Sequence, residues 1–376
     1  MGYYYIFTVI ICALSKIKRW QFFLITTVFC CLFLLLMPST QVDYDSYMRS
    51  YNNAYFSNKF PWIQSGYGVD LDPLFSVYMA AFSLFTPLDY PSFLATNFLL
   101  CLIIFNHSCS ILNIPGRVRK LLILFTLSSV FITVFYWSPR SSISYYLMLL
   151  GVAFMSKGKH KQGVGLFAMT CLLHSQFILQ AVIILIASFV LSKKNLTRRK
   201  RNGLIALMIV SLSGLIFAIP RILPFITNIL SSFSLTQFAA SKANIYLTSV
   251  SNIGLPRITA ILSIIVLPLV AYLFYRDQHS ATISQDGPGS IEYKRLSSLL
   301  LISTISGMII NLAFLSDATV AGRLSRFSDY TGFVVLLPIF IYSRYGRRTC
   351  AWCALFFCLI APFIYRTQYP EYLLFP

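Results

Sequence analysis

This sequence has few charged residues, and acidic residues are the scarcest among them. Charged side chains make up 11% of the 376 residues, and 11 Asp and Glu stand against 30 Lys and Arg. A soluble globular domain carries about 25% charged residues because its surface faces water. The shortage therefore excludes a soluble protein. It also makes the formal net charge of +19 a sign of membrane orientation rather than of nucleic-acid binding, since 57% of the residues are hydrophobic.

Sequence motifs for several kinds of chemistry are also missing. The chain has no phosphate-binding G-x-x-x-x-G-K-[ST] sequence, which argues against ATP-driven transport. Only four histidines are present and none lies in a metal-binding pattern, so we expect no metal and no cofactor. The C-x-x-C from Cys350 to Cys353 has Ala, Trp and Phe around it, which indicates packed helix thiols.

Long uncharged runs are what the sequence has in abundance. A membrane-spanning helix needs about 20 mostly apolar residues. The runs predict an all-α, polytopic integral-membrane helix bundle of about 12 transmembrane helices, with residues 1–376 forming a single multi-pass domain. The run 162–192 is too long for one helix and predicts a hairpin that turns at His174-Ser175-Gln176. The run 73–86 is short, so we expect it to be re-entrant or interfacial. Runs that qualify at once are 20–42, 121–139, 202–220, 258–275 and 296–316.

Six basic clusters between these runs predict the orientation of the chain, because basic residues stay on the cytoplasmic side. With all six inside, both termini and three substantial segments are expected to lie outside the membrane. The outside segments are 39–70, 220–257 and 316–329. The clusters are 16–19, 117–120, 157–161, 193–201, 276–295 and 344–348.

Nine basic residues fall outside on this map, and five of them lie near predicted helix ends. A single arginine there can extend its charge to lipid headgroups at little cost. A convergent set has a second interpretation, since guanidinium groups bind phosphate in bidentate fashion and would suit a lipid-linked pyrophosphate. Two of the five, three residues apart, would share a helix face. The five are Arg140, Arg221, Arg257, Arg323 and Arg326.

A few acids and one histidine are the candidates for proton transfer. Asp43 and Asp45 alternate in Asp-Tyr-Asp-Ser-Tyr, a spacing that suits extended or turn structure. Two interpretations of each are open. It is a general base that deprotonates a sugar hydroxyl, or it is a solvated loop carboxylate or helix N-cap. Asp72 directly precedes Pro73 and is the better helix N-cap. His174, central in an uncharged run, is a donor to substrate or phosphate, or a member of an interhelical hydrogen bond.

Four marks spread over residues 40–330 resemble bacterial polysaccharide polymerases of the Wzy and EpsG type. Their order and their positions relative to the predicted spans carry the resemblance. The marks are Asp43-Tyr44-Asp45-Ser46-Tyr47, Gly66-Tyr67 through Asp72-Pro73-Leu74-Phe75, Arg140-Ser141-Ser142-Ile143-Ser144 followed by His174-Ser175, and Arg323 in Ala-Gly-Arg-Leu-Ser-Arg-Phe.

The resemblance implies a C-type glycosyltransferase architecture and an O-antigen polymerase that acts on the periplasmic face without a required metal. Its substrates would be repeat units linked to undecaprenyl pyrophosphate, and membrane lipid would surround it. A chain-length regulator protein would be a further partner. On this hypothesis Asp43 or Asp45 is the base and His174 helps to orient the pyrophosphate. Arg140, with Arg323 or Arg326, would neutralise it.

Two other functions compete with this one. A translocator of lipid-linked oligosaccharide is disfavoured by the long outside segment 220–257 and the nearly charge-free spans. A membrane acyltransferase acting on the same polysaccharide ranks third, because the inside acids have only His279 near them. Deletion of the gene would separate a polymerase from a translocator. Loss of a polymerase leaves a single repeat attached, and loss of a translocator leaves none.

Overall fold

A computed structural model describes most of the chain, and the described part is helical. Helix accounts for 91% of it and no strand occurs in it, which confirms the all-α prediction. Two helices, Tyr90–Ile111 and Ile291–Ala313, are long and apolar enough to cross a membrane. The count of about 12 spans stays a prediction. The described residues are 17–36, 44–56, 72–86, 89–129, 135, 138–191, 198–231, 262–280, 290–314, 318–343 and 352.

The chain divides into two compact units. The first comprises Met1–Ile178 and Phe333–Pro376, and the second is Leu179–Gly332. In the first unit, proline at the first or second helical position marks the start of three helices, as its fixed φ favours. The described helices of this unit are α1 (Arg19–Leu36), α2 (Tyr44–Phe56), α3 (Pro73–Ser83), α4 (Tyr90–Ile111), α5 (Gly116–Ser129), α6 (Pro139–Ser156) and α7 (His160–Leu173).

Helices α6 and α7 form an antiparallel pair joined by a tight turn. Gly158 in the turn has a φ of 76°, a conformation that glycine adopts without steric cost. Gly151 of α6 faces Phe167 of α7 so closely that a Cβ there would lie 2.4 Å from the ring. This close contact lets α7 run back along α6 to His174.

Contacts of α4 show the direction of its neighbours. At one end of α4, the Arg19 NH2 donates to Asn106 Oδ1 over 3.2 Å. Further along, Cys31 of α1 reaches the carbonyl oxygen of Ala95. Residue numbers rise along α1 as they fall along α4, so these two helices are antiparallel.

Helix α6 runs parallel to α4. Asn97 of α4 donates to Ser142 Oγ over 2.7 Å, and His107 lies against Phe154 with ring centroids 6.4 Å apart. The start of α1, the start of α5 and the α6–α7 turn therefore lie at one end of the unit. The starts of α4 and α6 and the end of α7 lie at the other. Three predicted inside clusters, 16–19, 117–120 and 157–161, thus share one end.

Three segments expected to be loops contain helix. Residues 39–70 include α2, although the acid spacing suggested extended or turn structure. The helix beginning at Arg198 continues through Pro220 to Ser231, into the segment 220–257. The segment 316–329 holds two short helices. Which side of the membrane these segments face stays a prediction.

In the second unit, the helix α11 (Ile291–Ala313) packs against α9 (Arg198–Ser231), α10 (Leu267–Ser280), α12 (Ala318–Leu324) and α13 (Arg326–Thr331). Ile216 of α9 joins Ile309 and Ile310 of α11, and Phe314 just after it, in one apolar cluster. π-Helical turns occur at Leu262–Val266 and Gly332–Leu336. The described α-helices are α8 (Ile178–Leu191), α9 (Arg198–Ser231), α10 (Leu267–Ser280), α11 (Ile291–Ala313), α12 (Ala318–Leu324) and α13 (Arg326–Thr331).

Candidate active site

Asp72 stands immediately before α3 and is 3% exposed. It occupies the N-cap position, with an extended backbone and Pro73 as the first helical residue, but its side chain makes no capping hydrogen bond. The carboxylate instead contacts residues of α6 and of the α7 end. The prediction of a cap at this position is right about the helix start, and the role assigned to the carboxylate is wrong.

Arg140 reaches Asp72 from the first turn of α6. Its NH1 lies 3.4 Å from Asp72 Oδ2, and its side chain is 19% exposed. Pro139 starts the helix, and the hydroxyls of Ser138 and Ser141 are 2.7 Å apart beside it. The Nε–H of Arg140 is buried and meets no acceptor in the described part of the chain. The guanidinium thus retains a donor that a further oxygen can use.

His174 binds the same carboxylate oxygen from the end of α7. Its Nδ1 lies 3.1 Å from Asp72 Oδ2, and the residue is 1% exposed. The backbone of His174 is extended, with φ −157° and ψ 104°, and a 3₁₀ turn at Ser175–Phe177 follows. The break in helix expected here is confirmed, and the hairpin expected around it stays a prediction. The hydrogen bond between elements that was one interpretation of His174 is present, and its partner is a carboxylate.

Helix α2 has a buried aromatic face, and one ring of this face reaches Arg140. Tyr44, Tyr47 and Tyr51 share one helix face and are buried. The Tyr47 ring lies 6.0 Å from the Arg140 guanidinium carbon, within range of a cation–π interaction. It also packs edge-on against Phe75 of α3 at 6.1 Å. Helix α2 therefore contributes an aromatic ring to the site, where the sequence suggested a carboxylate.

Tyr44 does not supply a proton acceptor beside this group. Burial raises the pKa of its phenol, and the nearby carboxylates of Asp45 and Asp89 raise the pKa further. The phenol therefore keeps its proton at neutral pH. Its ring packs edge-on against Tyr90 at 5.0 Å, which is a structural role.

The geometry fixes which histidine nitrogen can take up a proton. When Nδ1 donates its hydrogen to Asp72, the neutral ring has Nε2 as its acceptor. The carboxylate also stabilises the imidazolium formed when Nε2 accepts a proton. Asp72, Arg140 and His174 thus bring an imidazole nitrogen that can accept a proton and a guanidinium to one carboxylate at one end of the first unit.

The other predicted site residues are distributed as follows. Asp45 is exposed on α2 and makes no part of the buried group. Asp43 and Arg257 lie outside the described residues, and Arg221 lies on α9 at a position where the side chain is not described. Arg323 lies in the last turn of α12 and Arg326 begins α13, and both are half-buried. They belong to successive short helices of the second unit, so the prediction that they share a face of one helix is wrong.

Asp72 and Tyr47 are the site residues that the sequence interpretation missed. Asp72 was the N-cap candidate, and Tyr47 was one of many tyrosines near predicted membrane edges. A signal for Tyr47 was present, since Tyr44, Tyr47 and Tyr51 recur at helical spacing. Within the described residues, no three His, Cys, Asp or Glu side chains come together as a metal site would require.

The comparison with protein families decides the assignment of the chain. The profile of the EpsG family matches residues 19–376. The chain belongs to the EpsG family. This EpsG-family chain is a membrane protein of the polysaccharide-polymerase type, and a polymerase of this family acts on lipid-linked repeat units. The predicted resemblance is confirmed, and no curated protein and no solved structure matches the chain.

Proposed function

We propose that this chain is a metal-independent polymerase that transfers a growing glycan from a polyprenyl pyrophosphate to a sugar hydroxyl of another lipid-linked repeat unit. The observation that carries the proposal is the buried Asp72, whose one carboxylate oxygen contacts both Arg140 and His174. Undecaprenyl is the expected lipid and the periplasmic face of the inner membrane the expected side. A chain-length regulator is the expected protein partner.

In the proposed reaction, His174 is the general base and Asp72 holds it in place. The acceptor hydroxyl oxygen attacks the anomeric carbon of the donor, and the hydroxyl proton passes to His174 Nε2. The bond between the anomeric carbon and the phosphate oxygen breaks, and the electron pair leaves with the lipid pyrophosphate. A positioned base of this kind contributes roughly 10²–10⁴-fold to the rate.

Arg140 is proposed to bind the departing pyrophosphate. Charge builds on the phosphate oxygens as the bond breaks, and a guanidinium in a site with little water stabilises that charge strongly. Asp72 accepts from NH1 alone in this contact, and the buried Nε–H is a further donor. Arg323 and Arg326 remain candidates for binding pyrophosphate. His174, rather than the exposed Asp45, is the proposed base.

Complementation of a deletion strain tests the proposal. We expect the wild-type gene to restore a ladder of long glycans on a gel. Asp72→Asn and His174→Gln are expected to leave single repeats, with polymer reduced at least about 100-fold because the base is lost or wrongly oriented. Arg140→Lys keeps the charge but loses the planar fork, and is expected to reduce polymer about tenfold or more.

Asp45→Asn is the matched control, since it makes the same chemical change on an exposed carboxylate. Immunoblots of membranes check that all variants are present in equal amounts. A full ladder from His174→Gln would refute the mechanism, as would loss of the ladder in Asp45→Asn alone. Loss of every transferred repeat in the deletion strain would instead identify a translocator.

A further inference from the structure

We propose that Asn97 of α4 is a positioning residue for Arg140 in the polymerase reaction. Its side-chain amide connects α3 to the first turn of α6, and the starts of these two helices carry Asp72 and Arg140. Asn97 acts through the backbone of α6 and does not touch the substrate. The inference rests on the proposed function, because it concerns how the guanidinium is held for the donor pyrophosphate.

Three hydrogen bonds run in series through the Asn97 amide. The Tyr78 hydroxyl of α3 donates to Asn97 Oδ1 over 2.9 Å. Asn97 Nδ2 donates to Ser142 Oγ over 2.7 Å and lies 3.4 Å from the Pro139 carbonyl oxygen. The Ser142 hydroxyl donates to that carbonyl oxygen over 2.6 Å. Each donor thus has an acceptor, and the direction of the series sets which way the amide faces.

The series ends on the peptide group that leads into Arg140. Pro139 directly precedes Arg140, so its carbonyl belongs to the peptide bond that carries the Arg140 nitrogen. A peptide group is planar, and donors on its oxygen therefore fix the direction in which the Arg140 side chain leaves the helix. The guanidinium reaches Asp72 from there over 3.4 Å. Such placement matters for the rate, because a displacement of about 1 Å can cost ~100-fold.

The α3 end of the series is anchored among packed aromatic rings. The Tyr78 ring lies 4.9 Å from the Phe82 ring and 5.6 Å from the Phe93 ring, both edge-on. Phe93 precedes Asn97 by one helical turn and lies on the same face of α4. Tyr78 belongs to the helix that begins directly after Asp72. The Asn97 amide therefore joins the helix starts that hold the carboxylate and the guanidinium.

Burial indicates that an asparagine at this position has a specific use. Asn97 is 0% exposed and lies in a helix long and apolar enough to cross a membrane. A polar side chain is costly in such a place unless it is hydrogen-bonded, and hydrogen bonds between membrane helices add little stability on average. Polar residues inside a membrane often serve a function instead. Positioning of Arg140 gives Asn97 such a function.

Steady-state kinetics of the purified full-length protein test the proposal, with lipid-linked repeat units extracted from the deletion strain as substrate. Asn97→Leu removes both hydrogen bonds of the amide at similar volume. We expect the KM for this substrate to rise about tenfold, which corresponds to ~1.4 kcal/mol, with a smaller change in kcat. The pH dependence of kcat is expected to stay that of the wild type, because His174 keeps its contact with Asp72.

A double-mutant cycle separates positioning of Arg140 from a general effect on folding. Arg140→Lys is measured alone and together with Asn97→Leu. Lysine has no planar fork whose direction must be fixed. If Asn97 acts through the guanidinium, adding Asn97→Leu to Arg140→Lys is therefore expected to raise KM much less than adding it to the wild type. A general effect on folding would multiply the two increases instead.

A second variant and a matched control complete the design. Ser142→Ala removes the acceptor of Asn97 Nδ2 by a smaller change, and keeps the test if Asn97→Leu lowers the yield of folded protein. Its KM is expected to rise about threefold, equivalent to one average hydrogen bond between membrane helices. Asn106→Leu makes the same change as Asn97→Leu toward the other end of α4, where Asn106 also contacts side chains of other helices. Its KM is expected to equal that of the wild type.

The outcomes distinguish failure of this inference from failure of the proposed function. If Arg140→Lys leaves both KM and kcat unchanged, the proposed role of Arg140 is wrong and the inference is wrong with it. If Arg140→Lys impairs the reaction but Asn97→Leu and Ser142→Ala leave KM unchanged, only the inference is wrong. Independent effects in the cycle, or an equal rise of KM in Asn106→Leu, would also overturn the inference alone.

Discussion

A buried carboxylate is stable only when positive groups or hydrogen bonds replace the water that it has lost. Asp72 obtains both from Arg140 and His174, which approach one of its oxygens from two different helices. The same contacts leave Nε2 as the His174 nitrogen that can accept a proton, and they hold the guanidinium of Arg140 beside the ring. Substitution of Asp72 would therefore remove a partner of both Arg140 and His174, whereas substitution of the exposed Asp45 leaves this group intact.

At the residue scale, Tyr47 offers a test of how Arg140 is positioned. We expect Tyr47→Phe to polymerise like the wild type, because the aromatic face over the guanidinium is kept. Tyr47→Leu removes that face and about 0.5–2 kcal/mol of cation–π attraction. The expected result is an increase of about two- to thirtyfold in the KM for the lipid-linked donor, with a smaller change in kcat. Steady-state kinetics with purified protein measure both.

Thermal unfolding of the two Tyr47 variants serves as the check on folding. Equal midpoints with different KM values would support a positioning role for the ring. If Tyr47→Phe raised KM as much as Tyr47→Leu, the hydroxyl rather than the aromatic face would be the important group.

At the scale of elements, the α6–α7 pair connects helix packing to the site. Arg140 lies at the start of α6 and His174 follows the end of α7, so the spacing of these helices places both residues. Two glycines lie in the contact, Gly151 against Phe167 and Gly163 against Met155. Helices with small residues at their contact approach closely, as is common in membrane proteins.

Gly151→Ala is expected to destabilise the protein and to reduce polymer formation. The added Cβ would lie 2.4 Å from the buried Phe167 ring, which has little room to move. Overpacking of this kind costs about 1–3 kcal/mol. A lower midpoint of thermal unfolding, together with shorter glycans, is the expected measurement.

Gly165→Ala in α7 is the control for this change. A Cβ at Gly165 has no atom within 4 Å, and alanine is the better helix former. Its midpoint is expected to equal or exceed that of the wild type. Equal destabilisation by both alanines would show that the glycine at position 151 acts through the backbone and not through the close contact.

At the scale of the whole molecule, the first unit has two chemically different ends. Basic segments lie at one end, where Arg19 contacts Asn106, and the buried Asp72 group lies at the other. Helix α4 connects them, and its 22 residues span about 33 Å, the thickness of a bilayer core. The side of the membrane that each end faces stays a prediction.

Labelling of single cysteines tests that orientation. In a variant without the nine native cysteines, Asp45→Cys is expected to react with a membrane-impermeant maleimide in intact cells. Asn113→Cys, exposed in the turn after α4, is expected to react only after the membrane is opened. The label is read by a mass shift on a gel. Reaction of Asn113→Cys in intact cells would reverse the predicted topology.

Several features of this chain follow from the sequence by itself. Hydropathy and charge identify the membrane class and the all-helical content, because each is a sum of local contributions. The resemblance to a family instead rests on four short motifs and their order along the chain. Proline marks the starts of α3 and α6, and the polar residues around His174 mark the helix break, because these are effects of the backbone nearby.

The tertiary structure alone decided which acid belongs to the site. Asp72 is 68 residues from Arg140 and 102 from His174, and no local pattern encodes a contact over such distances. An Asp before Pro looks the same in sequence whether its carboxylate caps a helix or accepts from a buried arginine. Helix α2 is similar, since burial of Tyr44, Tyr47 and Tyr51 overrides the polar Asp-Tyr-Asp-Ser-Tyr pattern. Only packing distinguishes these outcomes, because burial depends on what the rest of the chain places nearby.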